Sequence, residues 1–376
     1  MSGATAQAVV RQRIAASPPP LRALGPVAWL RDRLFSGPLN IAITLLLAWA
    51  AVKMVVFAID WAFIDAVWTG SSAKACPYGG GACWAYVTYH IKPILYGSYP
   101  ADELWRVDLV FFLAALTLAC VLVPLGRLTV RIRLTALIAF PVVAFVLLVG
   151  GIFGLPFVDT HTWGGLLLTL VVASTGVLGS IPIGAVLALA RFSKLPAVHW
   201  SAAVFIEFWR AVPLIVALFA FVVCFPLFMP GGRVNIDLLL RTVVGFAVFN
   251  SAYMAEVFRG GLQSVPKGQF EAARSIGLTW RQMMQHIVLP QAVRNCIPAL
   301  MNTSISIFKE TAVVLLIGLS DLLGVIQTFT RDPTWLGGPQ ILGSGYVFAA
   351  LVYMSFTFSM SRLSRRLENR QNVDVQ

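Results

Sequence analysis

Apolar residues come in runs of about twenty, eight times along the chain, and no other feature limits its fold so strongly. Roughly 20 helical residues at 1.5 Å each span a hydrocarbon core about 30 Å thick, and a lone segment in lipid satisfies its backbone only as a helix. The runs do not alternate polar and apolar as barrel strands do. An all-α integral membrane protein is therefore predicted, with about eight transmembrane helices at 39–59, 107–125, 134–153, 164–190, 211–229, 239–258, 297–318 and 343–361.

Charged residues make up only 12% of the 376 positions, yet the net charge is +12. A basic excess can mark nucleic-acid binding, so its placement matters. With the N-terminus in the cytoplasm, segments 1–38, 126–133, 191–210, 259–296 and 362–376 hold 20 Lys and Arg, against six on the opposite side. That bias places both termini in the cytoplasm, makes the basic character topological and removes nucleic acid as a partner. Residues 1–38 carry Arg11, Arg13, Arg22, Arg31, Arg33 and Pro18-Pro19-Pro20 with no apolar core, unlike a cleaved signal peptide. Lys53, inside the first span, lies within reach of the interface.

A seam falls at "GIFGLPFVDTHTWGG". It divides a cytoplasmic tail (1–38) and a three-helix region (39–158) from a five-span core (159–366) and a second tail (367–376). The long outer loop, 60–106, is rich in Trp and Tyr suited to a membrane interface. Within it Cys76 and Cys83 flank "CPYGGGAC", which fits either a disulfide in an oxidising compartment or two free thiols. Cys120, Cys224 and Cys296 read as small apolar residues. No lysine follows a glycine, so a phosphate-cradling G-x-x-x-x-G-K-[ST] loop is excluded. The four histidines lack metal-ligand spacing, and His161 beside Asp159 reads as a solvated loop pair. No hydrolase elbow or intramembrane H-E-x-x-H occurs. The chain is expected to be no enzyme, and to hold no cofactor or metal of its own.

One polar interruption stands out: "GQFEAARSIGLTWRQMMQHIVLPQA", residues 268–292. Pro266 suits a helix start, Gly277 a left-handed C-terminal cap, and Thr279 with Gln282 a capping box opening a second helix that ends before Pro290. Ala272 and Ala273 leave little bulk on the first helix, with Glu271 and Arg274 at the rim and Phe270, Trp280, Met283 and Met284 as apolar anchors. Such a hairpin can dock another protein, or lie on the headgroups as a basic amphipathic loop.

Glu271-Ala272-Ala273, then Gly277, Ile287, Leu289 and Pro290 resemble EAA-x3-G-x9-I-x-L-P, the motif of membrane subunits of bacterial ATP-binding-cassette importers. "FIEFWRAVPLIV" (205–216) and "IPALMNTSISIFKETAVV" (297–314) are similar to the polar amino-acid uptake permeases, particularly the longer L-amino-acid subunits; Ala312 departs from a frequent Ser. The resemblance covers about 160–366. It implies a five-helix importer core preceded by three extra helices in a bacterial inner membrane. It further implies a coupling loop over 262–292, with Phe270, Glu271, Ala272, Ala273, Gly277, Leu289 and Pro290 facing a separate ATPase dimer that holds ATP-Mg. The other partners it implies are a second permease subunit, favoured as a heterodimer by this chain's length, a periplasmic amino-acid-binding protein and an amino-acid substrate.

Charges inside spans cost about 2.5–3.5 kcal/mol each and are candidates for the path. Lys309 and Glu310 are helix neighbours that point about 100° apart, so each needs another partner or water. Glu256 could pair with Lys309, although Arg259 could claim it. Together with Asn302, Thr303, Ser304, Ser306 and Thr311 they form either a solute path or a structural ion-pair network. Glu207 and Arg210 read as a rim pair or a gate. The functional alternative is an ion-coupled secondary amino-acid transporter using Lys309 and Glu310.

Overall fold

A computed structural model describes residues 25–122, 128–228, 236–336 and 338–373. The described residues are helical, with isolated bridges in place of strands. Contacts divide the chain into two units, Met1–Ala66 and Val67–Gln376. The first holds α1 (Pro26–Leu34) and α2 (Pro38–Ile59), each opened by a proline whose missing N–H costs nothing at that position. A π-turn prolongs α2 to Ile64. Apolar on all sides, α2 buries none of its residues, as suits a helix in hydrocarbon. Arg11, Arg13, Arg22 and the triple proline lie outside the described residues.

The second unit opens with α3 (Trp84–Tyr89), α4 (Ile91–Tyr96), α5 (Leu104–Leu122) and α6 (Leu128–Val149). The helices α7 (Gly165–Arg191), α8 (Pro196–Ala211), α9 (Leu214–Phe219) and α10 (Leu238–Gln263) follow. The last group is α11 (Lys267–Ser275), α12 (Trp280–Met283), α13 (Leu289–Glu310), α14 (Leu322–Phe329) and α15 (Pro339–Val373). Helices α7 and α10 form the central pair. Their backbones meet where a Cβ on Gly184 would lie 2.9 Å from the Ala255 nitrogen, the close approach that small residues permit between membrane helices.

Among the described residues five stretches are long and apolar enough to cross a membrane, six if one sharply bent pair counts as a single span. This is fewer than the eight expected. Arg106 and Asp108 occupy the first turns of α5, which runs toward 123–127, outside the described residues, and the apolar part of α6 is the shorter Thr135–Val149. The expected span at 211–229 is not one helix: α8 and α9 meet at 109°. Pro213 disfavours a helical residue before it, and Val212 is extended at φ −89°, ψ 136°. The last helix, α15, runs past the expected span end at 361 to Val373.

Residues 67–103 fold onto α14 and the start of α15 as a disulfide lobe. Cys76 is bonded to Cys83 with their Cα atoms 5.7 Å apart. The Cys83 N–H donates to Ser344 Oγ at 2.7 Å, and the Tyr86 hydroxyl donates to the Ile326 carbonyl at 2.6 Å. Their shared core includes Tyr86, Ile94, Leu322, Ile326 and Trp335. Burial lowers the pKa of His90, which lies among Tyr86, Phe329 and Trp335, so it is neutral at pH 7.

Candidate functional site

The polar stretch is a helical hairpin with its own small core. Pro266 N-caps α11, and the helix closes in a Schellman arrangement: Gly277 N–H donates to Arg274 O at 3.0 Å, and Leu278 N–H to Ala273 O at 3.1 Å. Gly277 sits at φ +77° with open space around it, so the backbone alone calls for glycine. Thr279 accepts from the Gln282 N–H while the Gln282 side chain accepts from the Thr279 N–H, the expected capping box.

Three surface expectations are corrected. Ala273 is only 1% exposed, and with Leu262, Val265, Met283, Met284 and Val288 it forms the inside of the hairpin. A small residue is needed there because α11 presses on the π-turn at Met284–Val288. Met283 and Met284 hold the hairpin together rather than presenting anchors. The exposed surface is Glu271, Ala272, Arg274, Ile276 and Trp280, with Phe270 half-buried. The second helix also does not stop before Pro290. The π-turn, with Leu289 N–H donating to Met284 O, lets α12 run into α13 with half-buried Leu289 and exposed Pro290 in its first turn, so that helical backbone is continuous over Trp280–Ile317.

The residues named for a path separate into two sets. Asn302, Ser306 and Lys309 are exposed along one stripe of α13. Glu310 is half-buried on another side, and its Oε2 is buried without a hydrogen-bond partner. Thr311 is fully buried: it donates to Phe308 O at 2.8 Å and lies 3.3 Å from the Tyr353 hydroxyl, which reaches Asp321 at 3.2 Å. Lys309 and Glu256 do not pair. Arg259 holds Glu256 through bonds of 2.6 and 3.0 Å, being one turn away on the same helix.

Glu256 belongs to a wider network. Arg191 closes α7 and lies 3.4 Å from Glu256 and 3.2 Å from Glu207; Arg210 is 3.9 Å from Glu207 and 4.0 Å from Glu256. Arg191 escaped the sequence reading. The one signal was a basic residue ending a 27-residue apolar helix. Asp321 was missed too; it caps α14 by accepting from the Gly324 N–H at 2.9 Å, and burial pushes its pKa up to about 6. Asp159 and His161 meet Asp237, whose side chain caps α10 and bonds Thr160. Capping accounts for that convergence.

A profile described as "Binding-protein-dependent transport system inner membrane component" matches residues 180–373. The inner membrane amino-acid ABC transporter permease protein YhdY of Escherichia coli (strain K12) is 43% identical over 347 residues, spanning 92% of this chain and 93% of its own. The glutamate/glutamine/aspartate/asparagine transport system permease protein BztC of Rhodobacter capsulatus is 34% identical, spanning 96% of this chain and 98% of its own. A chain from a crystal structure of an amino acid ABC transporter with histidines is 32% identical, with a TM-score of 0.50, and covers 55% of this chain and 92% of its own.

Proposed function

The chain belongs to the family of inner-membrane components of binding-protein-dependent transport systems, and on that premise we propose that it forms half of the membrane path of an ATP-driven amino-acid importer. It is a multi-pass permease subunit, and hydrolysis resides on a partner ATPase. The observation that carries the amino-acid reading is identity of 43% along nearly the whole length of an amino-acid permease. The relatives give no support to an ion-coupled secondary transporter.

In this reading both termini are cytoplasmic, and residues 262–292 form the coupling element. Glu271, Ala272 and Trp280 offer the ATPase an exposed surface on a hairpin stiffened by its own core. ATP-Mg bound by the ATPase pair closes it, and Phe270, Gly277, Leu289 and Pro290 keep the hairpin's shape as that motion passes into α10 and α13. Exposed Asn302, Ser306 and Lys309 would face a polar path completed by a second, different permease subunit, since an ammonium facing lipid is costly. Glu310, with a free carboxylate oxygen, suits a substrate amine; Glu256 and Thr311, held by protein partners, support the path from behind. A periplasmic binding protein delivers the amino acid.

The test is purification of the tagged chain from its own cells in mild detergent, with uptake of labelled amino acids beside it. Co-purification of an ATPase, lost with Glu271→Lys, is the expected result. Full uptake by Glu271→Lys at normal membrane levels would remove the coupling role.

A further inference from the structure

Five charged side chains meet where α7, α8 and α10 converge at the end of α10 that leads into the hairpin. Their spacing is uneven in an informative way. Within α10, Glu256 and Arg259 are bonded at 2.6 Å, and Arg259 also donates to Gln263 at 2.9 Å. Between helices every contact is longer, from 3.2 to 4.0 Å, and within α8 Arg210 lies 3.9 Å from Glu207. Arg191 carries most of these cross-helix contacts. A single nitrogen of its guanidinium, Nη1, is shared between the Glu207 carboxylate on α8 and the Glu256 carboxylate on α10.

The surroundings leave space for change. An open cavity of about 540 Å³ lies beside Glu256 and Gly260, along the seam where α10 and α13 touch through Asn295 donating to Ser264 at 2.8 Å. Three residues separate the end of α10 at Gln263 from the start of α11 at Lys267, so a shift of the hairpin reaches Glu256 within two helical turns. The α7 and α10 backbones touch at Gly184 and Ala255, so the movable part is the end of α10 beyond that contact, which carries the Glu256 carboxylate, while Arg191 stays with α7.

We propose that Arg191 is the positioning residue of an inner gate, exchanging between Glu207 and Glu256 as the hairpin moves α10 relative to α7 and α8. The proposal rests on reading 267–275 as the coupling helix. A guanidinium suits the task because its planar fork reaches two carboxylates at once, whereas an ammonium is a point charge. Arg191 touches no solute. It sets how far motion of the ATPases is transmitted, so its loss separates hydrolysis from transport instead of abolishing both.

The experiment uses the complex that co-purifies with the tagged chain, reconstituted in liposomes. ATP hydrolysis is measured with and without the amino-acid-loaded binding protein, together with solute accumulated per ATP. Arg191→Gln should raise hydrolysis in the absence of binding protein about 5-fold, the lower end of ordinary coupling between sites, and lower accumulation per ATP to a similar degree. Arg191→Lys should fall between this and the native chain. Glu256→Gln should act in the same direction and decides the matter if Arg191→Gln assembles poorly. Unchanged hydrolysis and stoichiometry, or a parallel fall in both, would overturn the gate. The underlying coupling assignment fails on a different result, namely Glu271→Lys retaining the native response to binding protein.

Discussion

The hairpin and the disulfide lobe are built on opposite plans. Every buried residue of the hairpin core comes from one segment, Leu262 to Ala292, whereas the lobe joins Cys76–Ile94 to Leu322–Ala349 across more than two hundred residues. The hairpin keeps its contacts local and exposes Ile276 and Trp280 beside Glu271 and Arg274, as a part that moves as one piece would. The lobe ties distant segments through backbone and side-chain bonds such as Cys83 to Ser344 and Tyr86 to Ile326. It is suited to holding helices still. If the hairpin is the coupling element proposed above, transmission and anchoring fall to different regions, one contiguous and one stitched.

The largest expected effect breaks the lobe alone. Trp335 is 1% exposed and packs edge-on to Tyr86 with ring centroids 5.5 Å apart. Trp335→Ala should destabilise the lobe by about 3–5 kcal/mol. Hydrogen exchange should then accelerate across 67–103 and 322–336 while protection in 267–292 stays native. Equal loss in both regions would mean that they are one cooperative unit.

Asp321 sharpens the contrast through pH. Its pKa of about 6 in the fold exceeds the ordinary 3.8, chiefly because the carboxyl is buried. The folded state therefore holds the proton more tightly, so the stabilisation is complete below pH 4 and is lost as pH rises to 6. The shift corresponds to roughly 3 kcal/mol. Exchange in α14 should quicken between pH 4 and 6 beyond the intrinsic rate, with no matching change in the hairpin. Asp321→Asn, which keeps a capping side chain, should flatten that dependence.

Legibility followed the same division. Capping boxes, proline starts and a glycine corner act over three to five residues, so the hairpin's turns at Gly277 and Thr279 could be read directly from the sequence. Which way Ala273, Met283 and Met284 point depends on how the two helices fold onto each other, and that was not readable from the surface argument. Glu256 showed a local partner, Arg259, because the two lie one turn apart on one helix. Arg191 and Asp321 owe their significance to residues 65 and 32 positions away, and no period in the sequence links them. The break at Val212–Pro213 was half-legible: a proline announces a kink but not its angle.

Removing the cross-link tests whether the lobe depends on it. The disulfide closes a loop with a sequence separation of 7, for which loop-closure entropy gives about 2.5 kcal/mol. Cys76→Ser with Cys83→Ser should loosen 67–90 by that order in hydrogen exchange. If Tyr86 and Trp335 already hold the lobe, the loss will be smaller and transport will stay at the native rate.

The smallest effect separates shape from surface in the hairpin. Nothing lies within 4 Å of a Cβ placed on Gly277, so Gly277→Ala introduces no clash and imposes only the cost of the left-handed backbone, about 1–2 kcal/mol. Uptake should fall about 5-fold if that conformation must be held for docking, since 1 kcal/mol is roughly that factor. Gly277→Asn, whose side chain tolerates the same conformation, should lose less. An equal loss with Ala and Asn would show that the partner reads the bare surface of the corner rather than the angle it sets between α11 and α12, and the hairpin would then owe its coupling to contact instead of stiffness.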